Sequence, residues 1–310
     1  MKIKSVVIAG AGTMGYSMAQ IFARFGYEVT IYDVSKKALE NARSCIQKNV
    51  ETLVHQGELS EDRALELTGR LAYTDEKECF TACDIVIESI IEKLEIKKRF
   101  YEEISRIVRE DTILATNTSG LSVNAIASVV HIPERFIGMH WFNPSHLILL
   151  IEIIRGEYTS QETADIVKEL SLAIRKKPVV VEKDVPGFVA NRIQFAILRE
   201  ALDLVQKGVI SKEGIDDVMK YGLGFRYACV GPLEVADFGG LDTFYHISGY
   251  LMQDLCRDEN VPELLRDCFE KGKFGVKTQK GFYDYSEGKG MLATAQRDEK
   301  LLKLFNAFYK

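Results

Sequence analysis

Short apolar runs alternate with amphipathic stretches along the first 183 residues of the chain. Runs rich in Val and Ile, such as Ser5–Ala9 and the alternating YEVTIY at 27–32, predict strands. Amphipathic stretches between them predict helices, among them a long one at 36–55 behind an N-cap at Ser35. Six further strands are predicted at 70–74, 84–88, 112–116, 136–140, 150–154 and 178–182. This alternation predicts an α/β fold with a mostly parallel sheet that helices cover on both faces.

The pattern changes after the segment DVPG at 184–187. Helical periodicity and turns follow it, with almost no convincing strand. One of these helices is expected to begin after an N-cap at Ser211 and to end near Gly222. The sequence therefore predicts two domains: a Rossmann-type dinucleotide-binding domain at 1–184 and an all-α C-terminal domain at 185–310.

A glycine-rich turn follows the first predicted strand and opens the first predicted helix. It is a G-x-G-x-x-G run formed by Gly10, Ala11, Gly12, Thr13, Met14 and Gly15. In this context Gly10 permits the tight turn, Gly12 lets the backbone approach a pyrophosphate, and Gly15 lets helix and strand pack closely. Asp33 ends the second strand, where a carboxylate binds ribose hydroxyls and repels a 2′-phosphate. The sequence predicts an NAD site rather than an NADP site; a glycine-rich turn without a ligand is the alternative.

A histidine and a glutamate are candidates for acid–base chemistry. His140 stands at the C-terminal end of a predicted strand, the edge at which open α/β sheets bind ligands. Glu152 follows twelve residues later inside the apolar run LLIEII, where an unpaired carboxylate is costly. If the two strands are neighbours, the carboxylate can fix the imidazole's tautomer and make it a general base. A satisfied core histidine and an unrelated edge glutamate explain the spacing equally well.

Two polar residues can complete such a site. Ser119 follows the strand at 112–116, and Asn191 opens the first helix after the change of pattern. Together with His140 they can hold a hydroxyl and an adjoining carbonyl. Each is also typical of a turn or cap residue.

Composition excludes several other classes of protein. The formal net charge is −5, without the clustered basic excess of a nucleic-acid binder. The sequence has no apolar stretch long enough for a transmembrane helix, and the first predicted strand follows so soon that we expect no signal peptide. The six cysteines lack disulfide or zinc spacing, which predicts reduced thiols and no metal site. We therefore expect a cytoplasmic protein without a membrane or nucleic-acid partner.

The motifs together resemble one family. The chain is similar to the L-3-hydroxyacyl-CoA dehydrogenases, including the bacterial 3-hydroxybutyryl-CoA dehydrogenases, over nearly all of its length. The motifs that carry the resemblance are GAGTMG (10–15), IESIIEKLEIK (87–97), NTSGL (117–121), GMHWFNP (138–144), IEII (151–154), DVPGFVANR (184–192), GPLE (231–234), GLD (240–242) and FGVKTQKGFYDY (274–285).

The resemblance implies an activity and a role for each matched residue. It implies NAD-dependent interconversion of a (3S)-3-hydroxyacyl-CoA and a 3-ketoacyl-CoA, as in fatty acid metabolism, by a homodimer that assembles through the helical domain. It makes His140 the catalytic base and Glu152 its partner, with Ser119 and Asn191 on the reacting oxygen and the substrate carbonyl. The residues that it places along the NAD site, besides the glycine-rich turn, are Asp33, Glu92, Lys97, Asn117, Ser119, Asn143 and Lys277.

The chain departs from the family's pattern at three places. Leu149 stands where acyl-CoA members carry a lysine, the loop at 224–232 is longer and more aromatic, and His146 follows NPS where many members have a small residue or proline. These features resemble relatives that act on free hydroxy acids or alcohols: gulonate 3-dehydrogenase, carnitine dehydrogenase and a dehydrogenase of pyridoxine breakdown. Arg226 is then a candidate clamp for a substrate carboxylate, because its guanidinium matches carboxylate geometry. A surface arginine is the alternative.

Overall fold

The computed structural model describes residues 2–309 of the chain. The chain divides into two compact units, the first ending at Asn191 and the second beginning at Arg192.

The first unit is built on one eight-stranded sheet with the order β3-β2-β1-β4-β5-β6-β7-β8. Strands β1 to β6 are parallel, β7 is antiparallel to β6, and β8 is parallel to β7. The expected mostly parallel α/β sheet is confirmed, and every strand lies within one residue of its predicted bounds. The strands are β1 (Ser5–Ala9), β2 (Glu28–Tyr32), β3 (Leu71–Thr74), β4 (Ile85–Glu88), β5 (Ile113–Thr116), β6 (Phe136–Trp141), β7 (Leu150–Ile154) and β8 (Lys177–Val181).

Helices cover both faces of this sheet. Alternate residues of β1 enter two separate cores: Val6 and Ile8 pack in one, Val7 and Ala9 in the other. A sheet that is buried on both faces explains why its strands read as nearly continuous apolar runs. The helices of this unit are α1 (Thr13–Arg24), α2 (Lys36–His55), α3 (Glu61–Gly69), α4 (Leu94–Ile104), α5 (Val123–Ala127) and α6 (Gln161–Ala173), with 3₁₀ turns at Lys77–Phe80 and Pro133–Arg135.

The second unit consists of helices and turns. Its first helix, α7 (Ala190–Gln206), begins in the last residues of the first unit and is followed by Gly208, which has a positive φ of 69°. The other helices are α8 (Lys212–Val218), α9 (Gly224–Tyr227), α10 (Pro232–Gly239), α11 (Leu241–Asp254), α12 (Glu263–Glu270) and α13 (Lys289–Tyr309), with a 3₁₀ turn at Val276–Thr278. Among residues 2–309, no helix is long and apolar enough to cross a membrane.

One predicted helix end is wrong. The helix that begins after Ser211 does not stop near Gly222 but continues through a π-helical turn, Met219–Leu223, into α9. Gly224 keeps a right-handed helical backbone, with φ at −65°. A glycine ends a helix when its backbone turns left-handed, as at Gly208, and nothing in the sequence distinguishes the two cases.

The glycines of the first turn differ in the space around them. A Cβ on Gly15 would lie 1.8 Å from the carbonyl oxygen of Gly10, whereas a Cβ on Gly12 meets nothing within 4 Å. We expect Gly15→Ala to force α1 away from β1 and to lower the free energy of unfolding by about 1–3 kcal/mol. Gly12→Ala, with φ at −69°, is the matched control and should change it by less than about 0.5 kcal/mol. Urea denaturation of the three proteins measures both values, and equal stabilities would contradict this account of the turn.

Candidate active site

His140 and Glu152 form a buried hydrogen-bonded pair. They stand directly opposite each other on the antiparallel strands β6 and β7, so their side chains project from the same face of the sheet. His140 Nδ1 lies 2.9 Å from Glu152 Oε2, and the two residues are 3% and 2% exposed. The spacing of twelve residues is therefore that of a hairpin whose two strands bring the side chains together.

The second carboxylate oxygen of Glu152 is also occupied. Oε1 accepts hydrogen bonds from the backbone N–H groups of Val189, at 3.0 Å, and Ala190, at 2.8 Å. Burial alone would raise the pKa of Glu152, but the bonds from His140, Ala190 and Val189 outweigh it and hold the pKa below its ordinary value. An ionised carboxylate can only accept hydrogen bonds, so Nδ1 of His140 is the donor, and in the neutral imidazole the free lone pair then belongs to Nε2.

Aromatic rings surround the imidazole. The ring centroids of Phe142 and Phe188 lie 4.4 Å and 5.6 Å from that of His140. Phe188 is buried and has a φ of 53°, a left-handed conformation that is unusual for a bulky residue. These rings restrict water around the pair and strengthen its electrostatic interaction.

Asn117 and Ser119 follow β5 at the same edge of the sheet. The side chain of Asn117 accepts a hydrogen bond from Trp141 N–H at 2.8 Å, which ties this loop to the end of β6. The carbonyl oxygen of Ser119 accepts a hydrogen bond from Asn191 Nδ2 at 2.7 Å. The structure thus brings together Ser119 and Asn191, while the neighbouring Ala190 binds Glu152.

The glycine-rich turn has the space and the donors that a dinucleotide requires. Gly10 has a φ of 111°, and a Cβ there would lie 2.5 Å from the backbone oxygen of Ser89, in the loop after β4. Gly12 is the N-cap of α1 and provides no side-chain acceptor, and a Cβ there would meet nothing within 4 Å, so the first N–H groups of the helix are available to an anionic ligand. Asp33 accepts from Ala11 N–H at 2.8 Å and Ser35 N–H at 2.9 Å, and its carboxylate retains free lone pairs for ribose hydroxyls.

An ion-pair network centred on the buried Lys97 underlies the loop that carries Ser119. Lys97 is 1% exposed, and its ammonium lies 2.5 Å from Glu88 and 3.2 Å from Glu92. Glu92 in turn accepts from the Ser119 N–H at 2.9 Å. Burial would raise the pKa of Glu92, but hydrogen bonds from Thr118 and Ser119 and the charge of Lys97 lower it.

Sequence reasoning missed Glu88, the fully buried partner of Lys97. A carboxylate at the end of the apolar strand IVIE was the available signal, because such a group needs a buried partner. The structure places Lys97 beneath this loop, and its expected contact with NAD stays a prediction.

The remaining candidates are exposed. Asn143 lies in the loop between β6 and β7. Lys277 lies in the 3₁₀ turn Val276–Thr278 and Arg226 in α9, both in the second unit. Their expected roles toward cofactor and substrate stay predictions. Among residues 2–309 no cluster of potential ligands is suited to a metal ion.

A dinucleotide-binding sheet with an imidazole–carboxylate pair at its carboxyl edge is typical of NAD-dependent dehydrogenases. Comparisons with known proteins narrow this class. The model of the 3-hydroxyacyl-CoA dehydrogenase NAD binding domain matches residues 5–185, and that of the 3-hydroxyacyl-CoA dehydrogenase C-terminal domain matches residues 187–285. The chain belongs to the 3-hydroxyacyl-CoA dehydrogenase family, a family of NAD-dependent oxidoreductases. The expected resemblance and the expected cofactor, NAD, are confirmed.

Individual relatives differ in what they act on. The chain is 37% identical to 5-formyl-3-hydroxy-2-methylpyridine 4-carboxylate 5-dehydrogenase from Mesorhizobium japonicum, over 97% of this chain and 96% of the relative. It is 39% identical to a probable 3-hydroxybutyryl-CoA dehydrogenase from Deinococcus radiodurans, over 90% of this chain and 99% of the relative. A crystal structure of a 5-formyl-3-hydroxy-2-methylpyridine 4-carboxylic acid 5-dehydrogenase, an NAD⁺-dependent dismutase, matches with a TM-score of 0.90 and 36% identity, over 98% of this chain and 97% of that one.

The lowered pKa of Glu152 makes stability depend on pH. A carboxylate whose pKa is depressed by folding stabilises the protein above its unfolded pKa, and this stabilisation disappears as the pH falls through the folded value. At pH 7 we expect Glu152→Gln to lower the free energy of unfolding by about 1–3 kcal/mol. The difference from wild type should shrink as the pH falls below about 4. Urea denaturation at pH 7 and below about pH 4 measures this difference in the free energy of unfolding, with Glu157→Gln at an exposed position as the control. A difference that does not depend on pH would contradict an ionised Glu152.

Proposed function

We propose that this protein interconverts a (3S)-3-hydroxyacyl-CoA and the corresponding 3-ketoacyl-CoA with NAD, and that His140 is its catalytic base. One observation carries the proposal: the bond between Nδ1 and Glu152 leaves Nε2 as the proton acceptor at the carboxyl edge of the sheet. In this proposal, bound NAD supplies the acceptor for the hydride that leaves the hydroxyl carbon.

The residues of this chain account for the movement of the proton. Nε2 of His140 takes the proton of the substrate hydroxyl, and the adjacent carboxylate of Glu152 stabilises the resulting imidazolium. In the reverse direction the imidazolium returns the proton to the oxygen of the reduced carbon. The positions of Ser119 and Asn191 suit them to orient that oxygen and the neighbouring carbonyl, which lowers the entropic part of the barrier.

A second candidate is the same chemistry on a small substrate without CoA. The pyridine-carboxylate dehydrogenase matches 97% of this chain, against 90% for the 3-hydroxybutyryl-CoA relative. Leu149 in place of a lysine and the exposed Arg226 agree with a small carboxylate substrate. The relative described as a dismutase acts on a formyl compound, so aldehydes are also candidate substrates. A hydrated aldehyde carries a hydroxyl that His140 could deprotonate as it would that of an alcohol.

We also propose that the protein is a homodimer through its second unit. Large apolar side chains are exposed along α8 to α11 and the turns between them, to an extent that is unusual for a monomeric surface. Five of them are at least 71% exposed: Tyr221, Phe225, Leu233, Phe238 and Tyr245. The cytoplasmic location of the protein and its role in fatty acid metabolism stay predictions from the sequence.

Loss of the imidazole tests the proposed base. We expect His140→Ala to lower kcat by about 10²–10⁴-fold, the usual contribution of a general base, and to leave NAD affinity unchanged. His55→Ala, at an exposed position on α2, is the control and should keep wild-type kcat. Steady-state kinetics and calorimetric NAD titration give the two values, and a kcat of His140→Ala equal to that of His55→Ala would discard the mechanism.

A substrate panel separates the two candidate functions. NADH oxidation is measured with acetoacetyl-CoA and with free 3-keto acids, and NAD⁺ reduction is measured with aromatic aldehyde carboxylates. The first candidate predicts that kcat/KM is at least about tenfold higher for the thioester, a difference of about 1.4 kcal/mol in transition-state binding. Turnover of the free acids or aldehydes alone would replace the first candidate by the second.

A further inference from the structure

Lys176 is a buried lysine without a carboxylate partner among the described residues. It follows α6 directly before β8 and is 4% exposed. Its ammonium donates hydrogen bonds to the carbonyl oxygens of Ser145 and of Ile148, the latter at 2.7 Å, and lies 5.3 Å from the centroid of the Trp141 ring. Carbonyl dipoles and the indole face therefore provide its charge compensation.

This arrangement is costly for the fold. Burial lowers the pKa of Lys176 to about 8, which shows that the site disfavours the charged form. A methionine has similar length and would fill the space without burying a charge. Because Lys176 lowers stability and its ammonium binds two backbone carbonyls, we look for its role in the segment to which those carbonyls belong.

Both carbonyls belong to the loop at 142–149, which connects the strand of His140 to the strand of Glu152. The loop folds back on itself, with Pro144 O accepting from Leu147 N–H at 3.1 Å and from Ile148 N–H at 3.0 Å. Ser145 is held at two points, at its carbonyl by Lys176 and at its hydroxyl by Ser17 of α1. The loop is thus attached to the helix that follows the glycine-rich turn.

We propose that Lys176 is a positioning residue that fixes the 142–149 loop against α1, so that Asn143 is presented toward bound NAD beside His140. This rests on the proposed function. Lys176 acts through the loop and does not touch the reacting atoms, because its ammonium packs on Trp141, whose side chain points to the face of the sheet opposite that of His140. Ser17 binds the hydroxyl of Ser145, whereas Lys176 binds the carbonyl oxygens of Ser145 and Ile148.

The test compares two adjacent lysines of which only the first is buried. Lys176→Met removes the two bonds to the loop, and Lys177→Met makes the same change at an exposed position. Calorimetric titration with NAD, without substrate, is the primary readout, because it does not depend on the identity of the substrate. We expect the Kd for NAD to rise about tenfold in Lys176→Met, equivalent to about 1.4 kcal/mol, and to stay at the wild-type value in Lys177→Met.

Two further measurements distinguish positioning from general stability. Trp141 is the only tryptophan of the chain, so its fluorescence reports the surroundings of the ammonium. We expect a changed Trp141 emission in Lys176→Met, faster hydrogen exchange confined to the 142–149 loop, and partial recovery of NAD affinity in Lys176→Arg, which keeps a charged donor. A folded Lys176→Met protein with a Kd for NAD within twofold of Lys177→Met would overturn the proposal.

A second variant keeps the proposal testable if Lys176→Met does not fold. Lys176→Gln is neutral and can still donate to one carbonyl, so we expect its Kd for NAD to rise about threefold or more; a Kd within twofold of wild type would overturn the proposal. Failure of the proposed function is distinguishable, because it would appear in the substrate panel and in the kcat of His140→Ala, whereas this test compares only the Kd for NAD of the Lys176 and Lys177 variants.

Discussion

The buried carboxylate of Glu152 is the interaction on which the site depends. One of its oxygens binds Nδ1 of His140, and the other binds the N–H groups of Val189 and Ala190 at the start of α7. A single ionised group therefore sets the tautomer of the imidazole and also fixes the segment that carries Asn191. Its burial is tolerated because the imidazole and the two N–H groups compensate the charge.

The sheet brings the other parts of the site to the same edge. Parallel strands end at one side, so the glycine-rich turn after β1, the Asn117–Ser119 loop after β5 and His140 at the end of β6 follow from topology. Asp33 attaches the glycine-rich turn to the end of β2, and Asn117 attaches its loop to β6. Hydrogen bonds of this kind convert a shared edge into a defined geometry.

The sequence allowed the sheet to be predicted because its strands are encoded locally, whereas the spacing left the histidine–glutamate pair open and the family resemblance assigned it. The strands are continuous apolar runs, and twelve residues suffice for a hairpin that places His140 opposite Glu152. Glu88 and Lys176 escaped prediction because their significance depends on partners that only the tertiary structure supplies. The π-helical turn at Met219–Leu223 was not predicted because the presence of a glycine in the sequence does not reveal its φ angle.

A double-mutant cycle on His140 and Glu152 tests the central claim most directly. Values of kcat/KM are measured for His140→Ala, Glu152→Gln and the double variant against wild type. Glu152→Gln keeps an oxygen that can accept from the N–H groups of Val189 and Ala190. If the carboxylate otherwise acts through the imidazole, its substitution should cost little once His140 is absent, and the double variant should stay within about threefold of His140→Ala. Losses that multiply independently would contradict the account, because the carboxylate would then act without the histidine.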